Sequence, residues 1–287
     1  MTDIIRKEIL ENLTTYRFAV LTGLLALLVA ISVIVSYGDY HIRVENYGIL
    51  RPPASDPEKI ILPPQPLSIF ARGLDANTGR LYQLSALGIE VESSQQSINR
   101  LFALFTVPDM LFIIRVMLAL VAILFSFDAV CGEKEQGTLK LMLAGGTGRA
   151  TIILGKLAGR FALVFLPFGL MFVAAAVVTA LMGDVNAGAD YWQRIAAILA
   201  GAALYVGAFL AAGTLISALV HRSPSSLTLG IGVWGLFVFV IPDLGTTAAR
   251  AVSEVPPADR VEMENRLTAV RSIYEAIQAA KGGTRDM

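Results

Sequence analysis

The stretch 151-TIILGKLAGRFALVFLPFGLMFVAAAVVTALM-182 decides the fold. Its only charges, Lys156 and Arg160, lie near its start, and a long apolar run follows. A helix rises about 1.5 Å per residue and the hydrocarbon core of a bilayer is about 30 Å thick, so about 20 mostly apolar residues suffice to cross. This stretch exceeds that length and is expected to tilt or to extend beyond the lipid. Four further runs meet the same requirement, at 18–37, 109–128, 192–220 and 227–243. The last is the shortest: Pro224 and the serines beside it bound one end and Pro242 the other. Gly230, Gly232 and Gly235 inside it predict close helix packing, since small residues let helix backbones approach in lipid. Composition agrees, with 55% hydrophobic and 16% charged residues, against about a quarter charged in soluble domains. The fold class read from these runs is an all-α membrane protein, a polytopic helical bundle with about five transmembrane helices.

The 23 basic and 23 acidic residues cancel, so no global field favours nucleic acid. Cys131 is the single cysteine and has no neighbours at zinc-ligand spacing, and His41 and His221 are the only imidazoles; neither a disulfide, a metal site nor a cofactor is expected. The first apolar run is too long for the h-region of a signal peptide and no small-residue cleavage site follows it, so it reads as a retained anchor. Ahead of it, in an interfacial segment assigned to 1–17, Ile4, Ile5, Ile9, Leu10 and Leu13 form one helical stripe with charges opposite. Such a helix lies in the plane of the membrane interface and engages lipid. Arg6, Lys7 and Arg17 precede the first span, Lys134, Lys140 and Arg149 join the second to the third, and Arg222 joins the fourth to the fifth. Short basic connections face the cytoplasm, which places the N-terminus there. The acidic link with Asp184 and Asp190 suits the outside, and Tyr191 and Trp192 at the start of the fourth span fit an interfacial aromatic belt.

Residues 38–108 form an external, proline-rich and loop-rich segment in which the stretch from Leu84 to Leu104 suggests one or two helices, capped by Ser85 or Ser93. Residues 244–287 read as an external amphipathic helix with Val261, Leu267, Val270, Ile273, Tyr274 and Ile277 at helical spacing.

The richest chemistry lies at 129–150, read as a cytoplasmic segment. Gly132 and Gly137 permit sharp turns. The Glu133-Lys134-Glu135 run is expected to stay solvated, and Thr138 to cap a short helix whose Leu139, Leu141, Met142 and Leu143 offer apolar contact. Gly145-Gly146-Thr147-Gly148 makes a second turn but lacks the lysine and hydroxyl residue of a phosphate-binding loop, so ATP hydrolysis is not expected on this chain.

A span followed by Gly132-Glu133-Lys134-Glu135, Gly137-Thr138-Leu139, a short apolar run, Arg149 and then Ile153-Leu154-Gly155-Lys156 resembles the cytoplasmic signature of the type-two ATP-binding-cassette exporter permeases. The interfacial helix and the span spacing are similar to that family as well. The resemblance implies a bacterial inner-membrane permease subunit that pairs with a second permease copy or a homologous permease. It also implies a separate cytoplasmic ATPase subunit as partner and a coupling segment at 133–143, whose ATPase-docking residues would be Glu133, Lys134, Glu135, Gly137, Thr138, Leu139, Leu141 and Met142. The family normally has six spans and five are read here, a departure that leads one to expect the last span on a longer form of the chain or on a neighbouring polypeptide, and not to expect transport by this chain alone.

Two residues inside the spans invite a reading of their own. Arg115 is expected to snorkel or to pair with Asp109 rather than to contact substrate, and Pro167 is expected to kink the third span, with a possible effect on the transport path. The competing function is a non-transporting membrane scaffold or sensor that recruits partners through the same cytoplasmic loop. An intramembrane enzyme lacks any nucleophile, metal or paired-aspartate motif.

Overall fold

A computed structural model describes residues 2–50, 59–60, 64–71, 81–85, 88–92, 109–146, 148–182, 185, 187–252, 267 and 271. Helix α1 is Thr2–Leu13 and α2 is Tyr16–Leu50. Helix α3 covers 110–126 in three pieces, Met110–Phe112, a π-helical Ile113–Leu118 and Ala119–Ser126. Two short helices follow, α4 (Cys131–Gln136) and α5 (Thr138–Ala144). Then come α6 (Arg149–Leu181), α7 (Ala189–Leu219) and α8, which covers 223–252 as Ser223–Gly235, a π-helical Leu236–Val240 and Ile241–Val252.

Among the described residues, five helical segments are long and apolar enough to cross a membrane: Tyr16–Glu45, Met110–Gln136, Arg149–Leu181, Ala189–Leu219 and Ser223–Ala249. The membrane part is an all-α polytopic bundle, and the five apolar runs read from the sequence overlap these segments.

The chain forms two compact units. The first comprises Met1–His41, Pro66–Arg72 and Thr106–Leu244 and contains the helical bundle. Its centre is α3, the most buried of the spans, whose Ile113, Leu118, Ala119, Ala122 and Ile123 are almost without exposure. Close approach to α3 depends on glycines: a Cβ on Gly213 of α7 would lie 1.9 Å from Ser126 Oγ, and one on Gly230 of α8 would lie 2.8 Å from Ile123 Cγ2. Gly232 and Gly235 meet nothing within 4 Å, so of the three glycines expected at a packed interface only Gly230 serves one among the described residues. The short turn Pro66–Ile69 also belongs to this unit, and the adjoining Phe70 is fully buried with its ring 5.2 Å from that of Phe172 on α6.

The second unit comprises Ile42–Gln65, Gly73–Phe105 and Gly245–Met287. Strands β1 (Lys59–Ile60), β2 (Leu81–Ser85) and β3 (Gly88–Glu92) form an antiparallel sheet in that order. Tyr82 pairs with Val91 and Leu84 with Ile89. The helix expected from Leu84 onward is therefore corrected over 84–85 and 88–92: Ile89 and Val91 alternate with Glu90 and Glu92, a period of two that suits a pleated strand. Ser85 is the last residue of β2, and Ser93 and the remainder of that stretch lie outside the described residues. The expected helix after residue 252 also lies outside them, apart from Leu267 and Arg271, both helical.

Pro242 does not end the last span, as expected from sequence; α8 continues through it to Val252. A proline inside a helix lacks an N–H and its ring crowds the carbonyl four residues back, here that of Val238. The π-helical turn Leu236–Val240 sits at that carbonyl and widens the helix there. Helix α6 likewise runs without interruption past Pro167.

Candidate functional site

The end of α3, the two short helices and the starts of α1 and α6 meet at one end of the bundle. Lys156 and Arg160 are four residues apart on one face of α6, and both are buried. A buried cation is tolerated only with partners, because desolvation costs more than packing returns. Lys156 Nζ donates to Glu8 Oε1 at 2.6 Å and lies 2.7 Å from Glu133 Oε1. Arg160 Nε donates to Glu8 Oε2 at 3.0 Å, while its Nη1 donates to Asp128 Oδ1 at 2.7 Å and to the Phe125 carbonyl. Arg17, at the start of α2, completes the chain of charges, with Nη1 3.4 Å from Asp128 Oδ2 and its guanidinium 5.4 Å from the centre of the Phe127 ring. Three carboxylates thus face three cations.

Glu8 reaches this cluster because α1 lies directly on α6. A Cβ on Gly155 would stand 2.9 Å from Ile4 Cγ2, and one on Gly159 would stand 2.9 Å from Glu8 Cβ and 3.3 Å from the Ile5 carbonyl. The small-x-x-x-small spacing is what admits the helix. Burial pushes the Glu8 carboxyl up, but Arg160 and Lys156 outweigh it through charge and hydrogen bonds and hold it below the usual 4.5. Leu10 and Leu13, on the expected interfacial stripe, stay exposed.

The Glu133-Lys134-Glu135 run stays solvated only in part: Glu135 remains exposed, as expected, while Glu133 and Lys134 are partly shielded. Glu133 keeps only 15% of its side-chain exposure and is paired with Lys156. Lys134 Nζ donates to the carbonyls of Ala218 and Val220, at 3.1 Å to the latter. Glu135 is exposed, yet its Oε1 and Oε2 accept from the backbone N–H and the hydroxyl of Ser223, each at 2.8 Å. The reason is that α4 is wedged against the α7–α8 turn. Ser217 Oγ accepts from the N–H groups of Val130 and Cys131 at 2.9 and 3.0 Å, and Ser226 Oγ donates to the Phe127 carbonyl at 2.7 Å. Helix ends leave such groups without intrahelical partners, and the two turns satisfy each other.

Gly137 adopts φ +73°, the left-handed conformation that glycine enters without penalty, and so divides α4 from α5. Gly146 does the same after α5, with φ +80°. Thr138 does not cap α5 as expected; Gly137 holds the cap position and the Thr138 hydroxyl donates back to the Glu133 carbonyl at 3.4 Å. No residue of α5 is buried. Leu141 is 76% exposed, and Leu139 and Met142 are half-buried. The outcome is an apolar, solvent-facing helix carried on a deeply cross-linked base.

Arg115 and Pro167 are not part of this assembly. Arg115 is exposed on the π-helical piece of α3, and its carbonyl accepts from the Tyr205 hydroxyl at 3.0 Å. Asp109, the expected partner, instead caps α3 by accepting from the Phe112 N–H at 2.8 Å. Tyr191 turns inward, its hydroxyl donating to the Ala176 carbonyl at 3.1 Å, while Trp192 is exposed.

Glu8, Asp128, Lys156, Arg160, Ser217 and Ser223 were not singled out from sequence as site residues. Lys156 and Arg160 carried the signal: charges in an apolar helix require counter-charges, and Glu8, Asp128 and Glu133 are the acids on the flanks of the neighbouring elements.

The family model for the ABC-2 family transporter protein matches residues 2–281. A probable ABC transporter permease protein NosY from Stutzerimonas stutzeri is 35% identical over 139 residues, covering 48% of this chain and 50% of the relative. A probable ABC transporter permease protein NosY from Pseudomonas aeruginosa is 31% identical over 158 residues, covering 52% and 54%. The chain thus spans about half the length of the curated relatives it matches. With the family model matched from the first residue of α1 and through all five spans, the chain belongs to the ABC-2 family of transporter proteins.

Proposed function

We propose that this protein is a permease subunit of an ATP-binding-cassette transporter in the bacterial inner membrane, working as a dimer with a second permease. It couples ATP hydrolysis on a separate cytoplasmic ATPase to outward movement of a substrate. The N-terminus and the α4–α5 element face the cytoplasm, and α5 is the part that seats in the ATPase.

The observation that supports this reading is the contrast within 131–144: α4 is tied to α6 through Glu133 and to the α7–α8 turn through Lys134 and Glu135, whereas α5 has no buried residue and Leu141 is open to solvent. An exposed large apolar residue on a short, firmly based helix suits insertion into a cleft of another protein. The printed names of the two relatives, both probable ABC transporter permeases, support the same reading.

The test is affinity purification of the tagged chain from detergent, with mass spectrometry of what accompanies it. An ATP-binding-cassette ATPase present with the native chain and lost from Leu141→Glu is the expected result. A stable complex with other proteins and no ATPase would replace the transporter with the scaffold reading.

A further inference from the structure

Two opposite charges stand side by side in α4, and each meets the oppositely charged end of a different helix. A helix C-terminus carries partial negative charge on its free carbonyls, and an N-terminus carries partial positive charge on its free N–H groups. Lys134 reaches the end of α7 through the Ala218 and Val220 carbonyls. Glu135 reaches the start of α8 through the Ser223 N–H and hydroxyl, with two charge-assisted bonds of 2.8 Å. Residues 220–222 are all that separate α7 from α8, so the adjacent charges close on both sides of one tight turn. The reciprocal bonds of Ser217 and Ser226 to the 127–131 backbone lace the same two turns together.

We infer that Lys134 and Glu135 are positioning residues rather than docking residues, forming a bipolar clamp that makes α4 and the α7–α8 turn move as one body. The inference rests on the reading that an ATPase seats on α5, and it states where that push goes. Motion of α5 is delivered to the last two described spans through Lys134 and Glu135, while Glu133 ties the same element to α6 and α1 through Lys156. A solvated docking loop would flex at Gly137 and dissipate the motion; a clamp on two helix ends transmits it.

The experiment uses the permease with its ATPase in proteoliposomes and three variants, Lys134→Met, Glu135→Ala and Glu135→Gln. The expected result is unchanged ATPase stoichiometry in all three. Permease-dependent stimulation of ATP turnover should fall about tenfold in Lys134→Met and Glu135→Ala, within the usual range of coupling between sites. Glu135→Gln, which keeps an acceptor for the Ser223 N–H but not the charge, should recover part of it. A merely structural role would lower the melting temperature and the ATPase content together. Loss of the ATPase from Glu135→Ala, or full stimulation in both that variant and Lys134→Met, overturns the inference.

A second measurement does not depend on the ATPase. In a Cys131→Ala background, Glu135→Cys with Ser223→Cys, which removes the Glu135 half of the clamp and leaves Lys134, should form a disulfide in oxidised membranes with and without ATP, because the Lys134 half keeps the two turns together. Failure to form it in either condition overturns the clamp. A native chain that binds no ATPase overturns the proposed function and the transmission step with it, and the disulfide then decides the clamp alone.

Discussion

At the scale of single residues, Glu8 is the most consequential side chain the structure reveals. Its two oxygens hold Lys156 and Arg160 across more than a hundred residues of sequence, in a pocket where all three are nearly inaccessible. Removing one member of a buried charge cluster leaves the others unpaired, which typically costs about 3–5 kcal/mol. Glu8→Ala should therefore release α1 from α6, seen as rapid proteolysis near Arg6 and Lys7 at concentrations that spare the native protein. The same pairing has a pH signature. The folded carboxyl titrates below its ordinary 4.5, so its contribution is complete above that value and is lost as pH falls further, through the folded value. Proteolysis of α1 should rise in acid below about pH 4.5 in the native protein, while Glu8→Gln should be sensitive at neutral pH already. Equal sensitivity of the two at pH 7 would show that the carboxylate charge does not hold α1.

At the scale of elements, the bundle depends on how closely α7 and α8 approach α3. Gly213 has room for no side chain, because Ser126 Oγ would lie 1.9 Å from its Cβ. Gly213→Ala should destabilise by about 1–3 kcal/mol, the usual cost of overpacking. Ser126→Gly, which removes the obstructing atoms, should restore most of the lost stability when combined with it. Additive losses in the double variant, measured by thermal unfolding in detergent, would place the strain elsewhere. The two π-helical segments are joined in the same way, element to element: Trp234 Nε1, just before the α8 segment, donates to the Val116 carbonyl in the α3 segment at 3.1 Å. Trp234→Phe keeps an aromatic ring but forfeits that bond and part of the indole's volume, for an expected loss of at least about 0.5–1.5 kcal/mol.

At the scale of the whole molecule, five spans and one exposed helix define the tests of topology and docking. Single cysteines in a Cys131→Ala background at Gly146 and at Gly188 should react from opposite sides of the membrane with an impermeant maleimide, since the 33-residue α6 and its following turn separate them. Labelling of both from one side would refute the crossing by α6. Leu141→Glu should leave expression and melting temperature of the permease unchanged, because the side chain touches little of its own protein. The same variant should lose the ATPase on co-purification.

The sequence by itself determined the solvent of the bundle and its five described spans. Apolar run length is a local property, and lipid leaves a backbone only helices or closed barrels, so the five spans follow from 20-residue windows. The glycine turns at Gly137 and Gly146 were legible for the same reason, as was the short helix between them, whereas Gly132, also read as a turn, lies within α4. Pro242 was misread because the local rule for proline omits the π-helical turn that accommodates it. The direction taken by each charge was decided only by tertiary structure. Glu133, Lys134 and Glu135 read as a solvated run because adjacent acids and bases usually are; their partners Lys156, Ala218, Val220 and Ser223 lie far along the chain and are brought near by packing of α6, α7 and α8. Helix termini with unpaired backbone groups, and cations buried beside Gly155 and Gly159, supply the demand that turns those charges inward. What remains turned outward is α5, and that too is a consequence of packing, since Leu141 is as apolar as any residue of the core and is exposed because nothing among the described residues covers it.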